Sequence, residues 1–226
     1  MIKDLVTVKR SKRAKRVALR LDPIERVINL VVPHHMPLQK AYFFAQEHEE
    51  WVKKTLADLP QSIPFTDGTS LPVFGDSVTL HIHHDSLLKR TTLKQEDDSL
   101  YIKTYQDDPT SRIITHLKKI ARGGLSDMAS DKADAIDKTI KSITVRDTKS
   151  RWGSCSHEGD ISFSWRLIFA PYTAIDYVVA HEVAHMIHMD HSRDFWALCE
   201  QLCINYTEGK IWMKQNGNSL MQYGKA

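Results

Sequence analysis

The chain has 226 residues, 42% hydrophobic and 26% charged, with 31 Lys and Arg against 28 Asp and Glu for a formal net charge of +3. These values suit one large globular domain or two small ones and exclude the collagenous, low-complexity and disordered classes. With no run of about 18 apolar residues, no apolar segment near the start, and only Cys155, Cys199 and Cys203 as thiols, a membrane span, a secretory leader and a disulfide scaffold are not expected, and the cytoplasm is the expected compartment.

The modest net charge hides a split. Residues 1–40 carry ten Lys and Arg against three acids, net +7, and the remainder carries 21 against 25, net −4. Six of those bases fall within positions 9–16. Such a run serves either as a solvated strand edge whose charges discourage pairing or as a surface for phosphates. No aromatic residues interleave it, so nucleic-acid contact through 9–16 is expected to be non-specific. Next, Val17, Leu19 and Leu21 alternate with Arg16, Ala18 and Arg20, and Val27–Val32 forms a β-branched run ending at Pro33. With turn chemistry at Asp22-Pro23, the two predict a hairpin.

From Pro37 to Leu59 the pattern becomes helical, with Phe44, Trp51 and Leu56 among charged positions and Pro60 as the stop. Short strands are predicted at Leu80–His83, Leu87–Leu93 and Leu100–Tyr105, with a turn at Asp97–Ser99. The nearby His81, His83 and His84 read as surface residues. Asp108–Thr110 opens a long helix to about Asp137, weakened at Gly123-Gly124. Strands at Ile143–Arg146 and Ile161–Ile168 flank a loop at Ser150–Ser156, and helices follow at about 172–189 and 192–205. The fold class is therefore α+β. An N-terminal β-rich region with a helix covers residues 1–106 and a second region covers 107–226, although the two can also pack as one unit.

The chemistry is concentrated in His181-Glu182-Val183-Ala184-His185, an HExxH motif on a predicted helix. Residues four apart lie one above the other on a helix face, so two imidazoles can reach one Zn²⁺ at about 2.0–2.1 Å. Glu182 is rotated about 100° from His181, which sets its carboxylate beside the ion as a proton acceptor. With 12 His in the chain, random order gives roughly 0.02 such motifs, so chance explains it poorly. Ile175, Val179, Val183 and Ile187 repeat every fourth position as a core face, with Tyr177, His181, His185 and His188 nearly opposite.

A catalytic zinc needs a third protein ligand. His188 lies about 10 Å along the axis from His181, too far for one ion to serve both together with His185. His191 follows Asp190, where the helix should turn before the next begins at Ser192, and is favoured; Glu200 is the alternative. Arg166, Arg151 and Tyr177 are candidates to stabilise a developing oxyanion, although an arginine on a strand also serves as a salt-bridge partner. Cys199 and Cys203 read as buried thiols, and Cys155 lies in a loop that can approach the metal.

Arg151–Ser156, Gly159, Ile161, Trp165–Leu167, Pro171, Ile175–Val178, the HExxH segment, His191 and Phe195-Trp196 together resemble the YgjP-like metallopeptidase family, which is related to the SprT-like and WLM zincins. Lys12–Arg16, Pro33 and Trp51 also look like that family. The resemblance implies zinc at His181, His185 and His191, Glu182 as catalytic base, and a zincin-like domain whose HExxH helix packs on a small sheet. Metzincins share the ten-residue histidine spacing but carry Gly where this chain has His188, so their turning device is absent.

The expected function is a zinc-dependent hydrolase, foremost a metallopeptidase that uses zinc-activated water and acts on peptides or proteins. The same site with a phosphate-rich small molecule would make a nucleoside triphosphate pyrophosphatase. A DNA-associated repair or interaction protein is the alternative of another class, by analogy alone.

Overall fold

The computed structural model describes residues 2–224. The chain groups into two compact units, Met1–Gln61 and Ser62–Ala226. Among the described residues there are seven α-helices and three small mixed sheets, and no helix is long and apolar enough to cross a membrane.

The first unit begins with α1 (Ile2–Leu5) and β1 (Val6–Ser11), then β2 (Ala18–Asp22), β3 (Val27–Pro33), α2 (Leu38–Glu47) and α3 (Glu49–Ala57). The expected hairpin forms, with Leu19 opposite Leu30 and Asp22 opposite Val27. β1 pairs parallel on the other side of β3, from Val6 opposite Ile28 to Ser11 opposite Pro33. β3 is therefore the central strand, and its Ile28, Leu30 and Val32 are fully buried with Ala41, Ala45 and Val52 of the helices. The basic run starts on the edge strand β1, where Lys9 and Arg10 are exposed. Arg10 turns its guanidinium back onto the carbonyls of Pro33 and His34 at 3.0 and 3.1 Å. The single helix expected over 37–59 is two. His48 leaves helical geometry at φ −111°, and its Nδ1 donates to the Phe44 carbonyl at 2.9 Å.

The second unit opens with a four-stranded sheet of β4 (Ser70–Val73), β5 (Asp76–His84), β6 (Thr92–Glu96) and β7 (Ser99–Thr104), in the order β4-β5-β7-β6. The strand expected over 87–93 begins only at Thr92, because Asp85 accepts from the Leu87 amide at 2.9 Å and bends the chain there. The sheet's Leu71, Leu80, Leu100 and Ile102 lie in one core with α4 (Thr110–Asp134) and with Ile161, Phe163, Trp165 and Val179, so this sheet belongs to the second unit. α4 buries Ile113, Leu117, Ala121, Leu125, Ala129 and Ala133, a stripe at every fourth residue. It runs unbroken through Gly123-Gly124. Gly124 is where the Phe74 ring, from the β4–β5 turn, lies against the helix: a Cβ there would sit 2.5 Å from that ring.

β8 (Ser142–Arg146), β9 (Gly153–Cys155) and β10 (Asp160–Ser164) form the third sheet, in the order β8-β10-β9. The strand expected to reach Ile168 stops at Ser164, and Trp165–Phe169 winds into a 3-10 helix whose five residues are all buried. Then come α5 (Tyr172–Ala184), α6 (Arg193–Leu202) and α7 (Tyr206–Asn216). α5 and α6 are shorter than the spans 172–189 and 192–205 that periodicity suggests, and α7 lies beyond any element expected from the sequence.

Candidate active site

α5 is held by its apolar face. Ile175, Val179 and Val183 are 0% exposed, which leaves Tyr177 and His181 on the other side. The fourth member of the expected core face, Ile187, is exposed because the helix has already ended at Ala184. His185 is the residue that ends it, and its Nδ1 donates to the carbonyl of His188 at 2.9 Å. That bond fixes the ring and leaves Nε2 as the lone-pair nitrogen. His188 thus contributes its backbone to the site.

The chain then turns. Asp190 accepts from the Ser192 amide at 3.2 Å, and Ser192 caps α6 by accepting from the Phe195 amide at 3.3 Å. Between them His191 swings back over α5. Ligand atoms of His181, His185 and His191 all lie within 4.8 Å of one another, and their ring centroids form a near-equilateral triangle of 5.0, 5.2 and 4.9 Å. Glu200, the other candidate for third ligand, stands outside this group.

Residues 15–216 match the YgjP-like, metallopeptidase domain family. The chain belongs to that family. The crystal structure of the metallopeptidase zymogen of Pyrococcus abyssi abylysin is similar to 41% of this chain and 95% of its own, at 20% identity and a TM-score of 0.36. A comparison with curated proteins finds no match.

In this YgjP-like chain the triad stands on an aromatic floor that periodicity does not reveal. Phe195 is fully buried, with its ring centroid 5.0, 4.5 and 4.8 Å from those of His181, His185 and His191. Trp196 flanks His181 and His191 at 5.7 and 5.5 Å. The sequence signal for this pair was its position just inside the first turn of α6.

The donor set fits a metal ion. Nε2 of His181 and Nε2 of His191 face each other at 3.3 Å, an arrangement of two nitrogens that calls for a cation or a shared proton between them. Two ligands about 2.0–2.1 Å from a tetrahedral ion also lie about 3.3 Å apart. Burial, reinforced by His185, His191 and Lys210, holds His181 down to about 4, so its imidazole is neutral and free to ligate at neutral pH.

Glu182 is 5% exposed and lines the same cleft as His181, a space of 440 Å³. Burial pushes its carboxyl up to about 8, against the opposing pull of the Arg151 guanidinium. β9 lies directly against it: a Cβ on Gly153 would be 2.5 Å from Glu182 Oε1. Only a glycine lets the strand come this close. Tyr177 also lines the cleft, its ring centroid 6.1 Å from that of His181. Burial first, then neighbours led by Tyr206, push its phenol up to about 12.

Arg166 is elsewhere. It is 2% exposed, donates from Nε to Asp147 Oδ1 at 3.0 Å and from Nη1 to the Tyr223 carbonyl at 2.7 Å, and does not line the cleft. Cys155 donates to the Ser156 carbonyl, and its thiol is pushed up to about 11, chiefly by burial and then by Glu182. Cys199 and Cys203 are buried free thiols. α7 supplies the cleft residues that the sequence reading lacks: Lys210, Met213 and Lys214. They arrive because Gly209 lets α7 cross close over α5, where a Cβ would be 2.7 Å from Tyr177 Cβ.

Proposed function

We propose that this chain is a zinc-dependent metallopeptidase of the zincin type, acting on peptides or proteins, with His181, His185 and His191 as metal ligands and Glu182 as general base. The observation that carries this reading is the convergence of three imidazoles on one another, with His181 lining the same cleft as the buried carboxyl of Glu182. Zinc in a three-ligand site supplies Lewis acidity, polarising a carbonyl and bringing the pKa of water toward about 7.

The chain's own residues supply the rest. Glu182 takes a proton from water at its carboxylate as that water's oxygen bonds to the scissile carbonyl carbon, and returns it to the amine that leaves when the C–N bond breaks. Gly153 keeps water from one side of that carboxyl by pressing backbone against it. Tyr177, protonated across the neutral range, donates a hydrogen bond where negative charge develops on the substrate oxygen. Arg166 acts as an anchor that ties the 3-10 helix to Asp147 and to the backbone of Tyr223.

The test is metal content and peptide cleavage on reconstituted protein. The expected outcome is about one zinc per chain, lost in His181→Ala. Glu182→Gln should keep the zinc while peptide cleavage falls about 10²–10⁴-fold. Normal zinc binding by His181→Ala, or wild-type cleavage by Glu182→Gln, would sink the assignment.

A further inference from the structure

Three cations on the wall of the cleft have no part in the proton transfers above. Lys210 and Lys214 stand four apart on α7 and so share a face, and Arg151 precedes β9; all three line the cleft. Among the described residues none of the three forms a salt bridge, and the one acid that feels them is buried Glu182, on which Arg151 exerts an electrostatic pull. Lys210 is held in place: its Nζ donates to the Tyr206 hydroxyl at 2.8 Å and lies 4.2 Å from the centre of the Trp196 ring. Glu182 is the one acid of the lining, and it is buried. Trp152, Val178 and Met213 give the cleft an apolar wall.

We propose that this cleft selects peptides carrying a carboxylate next to the scissile bond, either an Asp or Glu side chain or a free C-terminus, held by Arg151, Lys210 and Lys214. The proposal rests on the metallopeptidase reading of the same site and names its substrate class. An arginine fork and two lysine point charges against apolar walls suit one carboxylate on a hydrophobic chain. A phosphate chain is favoured by helix N-termini and glycine-rich backbone cradles. Neither faces this cleft, whose helical residues come from the middle and C-terminal turns of α5 and α7.

The experiment uses the full zinc-reconstituted chain and fluorogenic heptapeptide pools, random except for one fixed Glu, with a matching Gln pool. Each pool is made with a free and an amidated C-terminus. The expected result is about ten-fold higher kcat/KM for the carboxylate member of a pair, shrinking as salt screens the exposed cations. The Glu/Gln and acid/amide arms show which source of carboxylate is read. Lys214→Glu, an exposed change, should invert the ratio. Equal rates within both kinds of pair, or a ratio that Lys214→Glu leaves alone, overturns the proposal.

If no pool is cut, the metallopeptidase reading falls by itself, and binding of the same peptides, read through tryptophan fluorescence, decides the subsite. Carboxylate-selective binding inverted by Lys214→Glu keeps the proposal. Unselective binding, or a nucleoside triphosphate that outcompetes every peptide, overturns it.

Discussion

His181 and His191 bring the same imidazole to the same point by different physics. His181 rides on α5, whose position is set by Ile175, Val179 and Val183, each wholly buried in the main core. His191 sits in an exposed turn placed by a few polar contacts: His185 to the His188 carbonyl, the Ser192 amide to Asp190, and the Phe195 amide to Ser192. Many dispersed contacts resist a single change, whereas a short chain of hydrogen bonds fails when one link goes. Damage to the turn should therefore loosen the metal without unfolding the chain, and damage to the packing beneath the site should cost both.

The largest expected effect is at Phe195, where the two halves meet. Phe195→Ala should lower stability by about 3–5 kcal/mol and weaken zinc binding as well, seen as a lower Tm that excess zinc partly restores. A normal Tm with weak zinc would show that Phe195 serves the turn alone. Next comes Arg166→Ala, which leaves Asp147 and the Tyr223 carbonyl without their donor. It should cost about 2–3 kcal/mol in denaturant unfolding while the zinc content of the folded protein stays the same. Loss of turnover in fully folded Arg166→Ala protein would return that residue to the site.

Gly153→Ala probes the packing on Glu182. The added methyl should cost about 1–3 kcal/mol, with a fall in kcat of about ten-fold or more and zinc retained; unchanged kcat would mean that Glu182 does not depend on the strand behind it. The smallest effect on stability is expected at Ser192. Ser192→Ala removes a helix cap worth about 1 kcal/mol, yet its zinc affinity should drop several-fold because His191 precedes the cap directly. If zinc affinity falls no further than in an exposed control such as Gln201→Ala, the turn is held by something other than its cap.

Much of the site was readable in advance because its spacing is local. The four-residue interval of His181 and His185, the core face at Ile175, Val179 and Val183, and the turn before Ser192 all follow from the helical repeat and capping chemistry. The same logic failed where contacts are distant. Ile187 continues the apolar period, but the helix ends at Ala184 with His185 bonded onward to His188. Gly123-Gly124 reads as a weak point of α4, whereas Gly124 is the seat of the Phe74 ring. Arg166 and Arg151 look equivalent as candidates, and burial against Asp147 separates them.

By itself, then, the sequence determined the chemistry on offer: which residues can ligate, which can take a proton, and that a basic N-terminal stretch precedes a mildly acidic remainder. These depend on residue type and on neighbours within a turn or two of helix. Only the tertiary structure decided that Phe195 floors the triad, that Gly153 lets β9 lie on Glu182, and that Gly209 brings Lys210 and Lys214 into the cleft. Such close approaches join segments far apart in the chain. They depend on the absence of a single Cβ, which leaves no periodic trace in the sequence.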